Sequence, residues 1–225
     1  MPTQCVWCDH NSEYICKNCR KNLISHQETC NICHKYSEDF VVCRGCRSEV
    51  YYEGIVILRE FSNLVKKIIY KLKFWHRYDT VSFLAEKLRL ILQTNQHIYE
   101  SDNIDNIYIS YVPSHRRRKY RIKWYNQSEL LAIQLSKISG LKFVDISKKV
   151  KYTVSQVKLN RNQRLVNLID SYRLVDNLTL NWSEKIIIVD DITTTWSTIN
   201  HLAKTIKYIY PNIHIWWLVI ARSNK

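Results

Sequence analysis

Lys185-Ile186-Ile187-Ile188-Val189-Asp190-Asp191-Ile192-Thr193-Thr194-Thr195-Trp196-Ser197-Thr198-Ile199 is the stretch whose reading decides the fold. Four β-branched apolar residues in a row, with a charge on each side, predict a strand buried on both faces, as in a parallel sheet. The strand is expected to stop at Val189. Two adjacent carboxylates follow, and then a hydroxyl-rich segment that reads as a turn or helix start, because consecutive threonines cap free backbone N–H groups. In an open α/β sheet, ligands sit beyond the carboxyl ends of the strands, where helix N-termini present N–H groups to anions. The stretch therefore predicts a site for a polyol bearing a phosphate. Asp190 and Asp191 would accept hydrogen bonds from neighbouring ribose hydroxyls. Thr193, Thr194, Thr195, Ser197, Thr198 and the first helix amides would hold the phosphate.

Outward from that site, composition narrows the classes. The chain has 225 residues, 46% of them hydrophobic and 24% charged, which suits one good core with a small appendage. There are 34 Lys and Arg against 20 Asp and Glu, a net charge of +14 that points to a polyanionic partner or a phosphate-rich ligand. Glycine is scarce, 3 residues against an average usage of about 7%. Glycine-dependent phosphate loops are thereby excluded, and hydroxyls and helix amides must do the work. The longest late apolar run, Ile215 to Ala221, is far short of the roughly 20 residues of a membrane span and reads as a last buried strand. A cysteine cluster opens at Cys5, where a signal peptide would need a basic and then an apolar run, so no membrane insertion and a cytoplasmic location are expected.

All 8 cysteines precede residue 47, in four Cys-x-x-Cys pairs: Cys5/Cys8, Cys16/Cys19, Cys30/Cys33 and Cys43/Cys46. Such a pair folds as a tight knuckle presenting two thiolates to one tetrahedral metal, so four knuckles predict two structural zinc sites. Redox dithiols would need a thioredoxin-like context that is absent, and a cytoplasmic chain seldom keeps disulfides. Neighbouring knuckles would give two successive ribbons and alternating knuckles a cross-braced pair. Successive ribbons are favoured, because linkers of seven and nine residues inside each proposed site suit a short hairpin. His10, His26 and His34 are expected to be bystanders. Residues 1–50 then form a zinc module and 51–225 an α/β domain.

Along that second part, Ile55 to Leu58 reads as a strand. Leu64, Val65, Ile68, Ile69 and Leu72 recur at helical spacing, with Lys66, Lys67, Lys71 and Lys73 on the other face. A second helix is predicted from Thr80 to Gln93, a strand from Ile104 to Val112, and a helix from Ser128 to Ser139 capped by Gly140. Between these last two stands a run with six basic residues from 116 to 123 and no acid. His115, Arg116, Arg117, Arg118, Lys119 and Arg121, interleaved with aromatics and followed by Asn126 and Gln127, suit a phosphate backbone with stackable bases, or a diphosphate. Residues 148–167 read as a polar, basic loop feeding a short helix, of the kind that covers a diphosphate site. Tyr172-Arg173-Leu174 reads as the start of another strand, and a final helix is predicted from Ser197 to Tyr210.

The acid–threonine stretch resembles the phosphoribosyl-diphosphate (PRPP) motif of type I phosphoribosyltransferases: hydrophobic strand, two acids, two variable residues, Thr-Thr-Gly, one residue, Thr. Asp190, Asp191, Thr194, Thr195 and Thr198 fall on their places, with Trp196 where the motif has glycine. The whole chain resembles the ComF family of competence-associated proteins. Its marks are the four knuckles, Gly54 before a helix ending Leu72-Lys73-Phe74, and Val112-Pro113-Ser114-His115-Arg116-Arg117-Arg118 leading to Asn126-Gln127. Thr153, Gln156, Leu159, Arg164 and Asn167 in the loop belong to the same set.

That resemblance implies a type I phosphoribosyltransferase-like parallel sheet flanked by helices, preceded by a double zinc ribbon, and a role in handling single-stranded DNA during natural transformation. It implies single-stranded DNA, PRPP or a nucleotide, and proteins of the DNA-uptake machinery as partners. Thr153, Gln156 and Arg164 would face the diphosphate or nucleic acid. Trp196 at the phosphate cradle, and Trp124 where glycine is expected two residues before Asn126, would block the usual ligand or offer a surface for a base. Two other functions follow from the same residues: an active phosphoribosyltransferase using PRPP with Mg2+, and a zinc-ribbon adaptor for another protein.

Overall fold

The computed structural model describes residues 4–12, 14–74, 78–99, 104–114, 125–150, 171–175, 184–193 and 196–223. Its centre is a five-stranded sheet in the order β1 (Gly54–Glu60), β7 (His214–Arg222), β6 (Lys185–Thr193), β2 (Ile107–Tyr111), β3 (Lys142–Phe143), with every pairing parallel. The two central strands explain why. Ile186, Ile187, Ile188 and Val189 of β6 and the Ile215–Ala221 run of β7 are buried throughout, so both faces of the sheet are covered. The late apolar run is a strand, as the sequence predicts.

The helices are α1 (Lys17–Arg20), α2 (Asn63–Phe74), α3 (Tyr78–Gln93), α4 (Gln96–Tyr99), α5 (Gln127–Ser139) and α6 (Trp196–Ile209). From β2 the chain passes through α5 to β3, moving outward in the sheet. From β6 it passes through α6 to β7, moving the opposite way. Parallel crossovers are right-handed, so α5 and α6 lie on opposite faces, and the order reverses between β2 and β6. That is the point where such a sheet opens a crevice at its carboxyl edge. The α5 helix ends at Gly140, whose φ of 76° takes the left-handed cap position predicted for it.

Three sequence expectations shift. The central strand does not stop at Val189 but runs on through Asp190, Asp191 and Ile192 to Thr193, because β7 offers ladder partners as far as Arg222. Ile104–Asn106 is a 3-10 turn before a shorter β2. Lys148 and Lys149, read as loop, belong to β4 (Ser147–Lys149), which pairs antiparallel with β5 (Tyr172–Leu174). Most of the expected basic loop of 148–167, from 151 on, lies outside the described residues.

The cysteine-rich segment is stitched to the sheet. Single bridges pair Ser25 with Arg59 and Val41 with Gly54, so the segment covers the free edge of β1. Tyr14 accepts a 2.7 Å bond from Thr80, and the Asp39 carboxylate accepts from the Gln96 and His97 amides, capping α4. The cores merge: Cys5, Cys30, Phe40 and Tyr52 are buried in one apolar cluster with β1 and β7.

Candidate functional site

The carboxyl edge of the sheet at the β2/β6 reversal is assembled by three elements. From β6 come Asp190 and Asp191, both half-buried, and Thr193, buried. The end of β2 is bound to β6 by the Val112 amide, which donates to the Val189 carbonyl at 3.1 Å. The N-terminus of α5 completes the crevice. Asn126 caps it, its side chain accepting from the Ser128 amide at 3.2 Å while its amide donates to the Val112 carbonyl at 2.9 Å. Ser128 in turn donates its hydroxyl to Asp190 Oδ1 at 2.9 Å, and the same oxygen accepts the Asp191 amide at 2.8 Å. Asp191 Oδ1 accepts the Ile192 amide at 2.7 Å.

The Asp190 carboxylate thus lies among donors, at the α5 N-terminus. Next to it, burial and then the Asp190 charge hold the Tyr172 phenol well above its usual range, so it stays a neutral hydroxyl. Gln127 is buried, and its Nε2 has no acceptor among the described residues. An unsatisfied buried donor at a crevice costs free energy that an acceptor-bearing ligand recovers. The arrangement offers carboxylate acceptors for hydroxyls and donors for a phosphate.

Of the residues read from sequence, the structure brings Asp190, Asp191, Thr193, Asn126 and Gln127 to this edge. Thr198 lies half-buried in the first turn of α6. Thr194 and Thr195, the run His115, Arg116, Arg117, Arg118, Lys119 and Arg121, and Thr153, Gln156 and Arg164 lie outside the described residues, as do the side chains of Trp196 and Ser197. Sequence reasoning took Ser128 only as a helix start. Its signal was its place two residues after the Asn126 cap, but only the β2/β6 adjacency points its hydroxyl at Asp190.

The cysteines form two groups, Cys5, Cys8, Cys16 and Cys19, and Cys30, Cys33, Cys43 and Cys46, each with its four sulfurs within 4.8 Å of one another. These are successive ribbons, the pairing favoured from linker length. The first knuckle of each group repeats one geometry. Asp9 and His34, each just after the second cysteine of its pair, take left-handed φ values of 58° and 61°, and their amides donate to the Cys5 and Cys30 carbonyls.

Cys8 and Cys16 sulfurs lie 3.8 Å apart, and Cys33 and Cys43 sulfurs 3.6 Å. A tetrahedron with Zn–S bonds of about 2.3 Å has an edge of about 3.8 Å, so both groups fit a zinc ion. Burial pushes the Cys5 thiol up, but amide donors at Cys8, Cys16 and Trp7 outweigh it and bring it down to about 6. Burial opposes ionisation of Cys30 in the same way, and the amides of Cys33, Cys43 and Ile32 bring it to about 7. Cys46 is pushed up to about 12 by its bond to Cys43 and by burial. Four crowded thiols cannot all ionise unaided, and a divalent cation removes the conflict. His10, His26 and His34 are not in either group, as expected.

Fold and site define a doubly wound parallel α/β protein with an acid-bearing crevice at its strand reversal and two four-cysteine groups at its start. No protein-family model matches the chain. It is 27% identical over 226 positions to "Competence protein F" of Haemophilus influenzae, spanning 92% of this chain and 97% of that one. It is 26% identical over 211 positions to "DNA utilization protein YhgH" of Escherichia coli O6:H1, spanning 84% and 89%. A purine phosphoribosyltransferase from Pyrococcus horikoshii overlaps 67% of the chain at 17% identity and a TM-score of 0.31, a likeness too slight to carry an argument. These two relatives support the resemblance to the ComF family of competence-associated proteins. No helix among the described residues is long and apolar enough to cross a membrane.

Proposed function

We propose that this protein handles single-stranded DNA in the cytoplasm during natural transformation, using a sugar-phosphate pocket at the carboxyl edge of β6 and the basic run at 115–124. The observation that carries the reading is the convergence at the strand reversal of Asp190, Asp191, Ser128 and the Gln127 side-chain amide, which has no acceptor among the described residues, in a chain of net charge +14. The relatives named for competence and for DNA utilization support it. In this reading the pocket takes PRPP or the 5′-phosphate of a nucleotide, with Thr194, Thr195, Ser197 and Thr198 around the phosphate. His115 to Arg121, with Thr153, Gln156 and Arg164, face the diphosphate or the strand. Residues 1–50 are a module holding two structural zinc ions, which scaffold and present a surface to proteins of the uptake machinery.

Fluorescence anisotropy with a labelled single-stranded oligonucleotide tests this. Wild type should bind with steep salt dependence, and Arg116→Ala/Arg117→Ala/Arg118→Ala should weaken binding and flatten the log–log salt slope by about 2, at about 0.7 for each phosphate no longer neutralised. Equal binding and equal slope would reject the assignment of the basic run.

The acid pair favours a second reading, Mg2+-dependent phosphoribosyl transfer. Asp190 and Asp191 would orient the ribose while diphosphate leaves C1 through an oxocarbenium-like transition state. Calorimetry with PRPP and Mg2+ on wild type and on Asp190→Asn/Asp191→Asn decides it. No heat with wild type ends that reading.

A further inference from the structure

The crevice edge also carries a cation. Arg222 ends β7, and its register partner is Thr193, the last residue of β6. The Ser223 amide donates to the Thr193 carbonyl at 2.9 Å, holding the two strand ends together. Laterally paired residues of a parallel ladder project to one face, and the two-residue period of β6 adds Asp191 to it. Arg222 is half-buried, and loss of hydration lowers its pKa from the usual arginine value.

Its guanidinium lies against the His34 imidazole, with Nη1 3.2 Å from Nδ1 and Nη2 3.2 Å from Nε2. Both terminal nitrogens of the guanidinium are thus turned toward the one imidazole, which leaves Nε and the outer Nη hydrogens for another acceptor. His34 is itself fixed, one residue after Cys33 in the left-handed conformation that closes the knuckle. Tyr52, fully buried and bonded to Asn31, and Cys30 lie close enough to add to the field at Arg222. Glu60, the register neighbour of Arg222 on β1, is exposed, and Arg222 forms no ion pair among the described residues. A half-buried guanidinium held by His34, with no carboxylate on it among the described residues, at the strand end that borders the crevice, is suited to an oxyanion.

We propose that Arg222, held by His34 of the third cysteine knuckle, binds the phosphate of a sugar phosphate whose ribose faces Asp191. This rests on the sugar-phosphate pocket proposed above and names the residue that supplies its charge. It also gives the cysteine-rich segment a part in ligand binding, since the segment supplies the ring that orients the arginine. The competing role for Arg222 is to balance the negative charge of the second four-cysteine group through Cys30.

Titration calorimetry with ribose 5-phosphate, and with PRPP plus Mg2+, separates these roles when zinc content is measured on the same samples. Arg222→Gln should weaken both ligands at least tenfold while holding two zinc ions per chain. Arg222→Lys should fall between it and wild type, and His34→Ala should lose several-fold. Wild-type affinity in Arg222→Gln overturns the proposal. So does a loss of zinc from Arg222→Gln with unchanged affinity in the zinc-loaded fraction, which would make the arginine a counter-charge only. If wild type binds the oligonucleotide but neither small ligand, the pocket itself fails, a result distinct from failure of Arg222 alone.

Discussion

Ser128 donates its hydroxyl to Asp190 across 2.9 Å, joining two residues 62 positions apart in the chain. The bond fixes one carboxylate of the acid pair against the N-terminus of α5, while the Asp191 carboxylate accepts from the Ile192 amide of its own strand. The two acids are thus held differently, Asp190 across the crevice and Asp191 along β6.

That anchoring predicts a specific phenotype. Ser128→Ala should cost about 1 kcal/mol of stability, the usual net worth of such a bond. It should also weaken PRPP binding several-fold, because Asp190 regains rotamer freedom. Ser128→Thr should restore both. Chemical denaturation beside calorimetry would show it, and unchanged ligand affinity in Ser128→Ala would mean that the bond serves the fold alone.

The two four-cysteine groups should respond unequally to metal loss. The second group sits among buried Phe40, Tyr52 and β1, whereas in the first Cys8 is exposed. Cys30→Ser should reduce zinc from two ions per chain to one and destabilise the whole chain by more than about 3 kcal/mol, a fraction of the roughly 10–16 kcal/mol available from a structural zinc site. Elemental analysis with a thermal melt checks this. A melt like that of wild type would mean that the ribbon is independent of the sheet.

Asp39 links the second ribbon to α4. Its backbone has a φ of 53°, and its carboxylate accepts from the Gln96 and His97 amides at 2.8 and 3.3 Å. Asp39→Ala loses a cap worth about 1 kcal/mol and adds a left-handed penalty of roughly 1–2 kcal/mol. Asp39→Asn, which caps and tolerates that conformation, should stay near wild type. Equal melting of the two variants would remove the cap from the account.

Gly54 opens β1 at its bridge to Val41 of the second ribbon. A Cβ there would stand 2.6 Å from the Phe40 carbonyl oxygen and 2.6 Å from the Trp216 ring. Both neighbours are buried, so neither can yield cheaply. Gly54→Ala should destabilise by about 1–3 kcal/mol, the range for overpacking, as read from a denaturant midpoint.

Much of this was legible in the chain. The Ile186–Val189 run, the apolar Ile215–Ala221 stretch and the Gly140 cap each carry their structure locally, because burial on both faces and a left-handed cap need particular side chains whatever the partner. The Cys-x-x-Cys spacing announced two four-cysteine groups for the same reason. The end of β6 was not legible: Asp190 to Thr193 look like a turn, and become strand only because β7 runs beside them to Arg222.

By itself the sequence determined which elements form, that a parallel sheet organises them, and that eight cysteines fall into two groups of four. It could do so because periodicity and ligand spacing are short-range properties. Only the tertiary structure decided who stands next to whom: Ser128 on Asp190, His34 on Arg222, Asp39 on α4. Those pairs join residues from 57 to 188 positions apart, and no local pattern encodes a contact made by strand order and crossover hand.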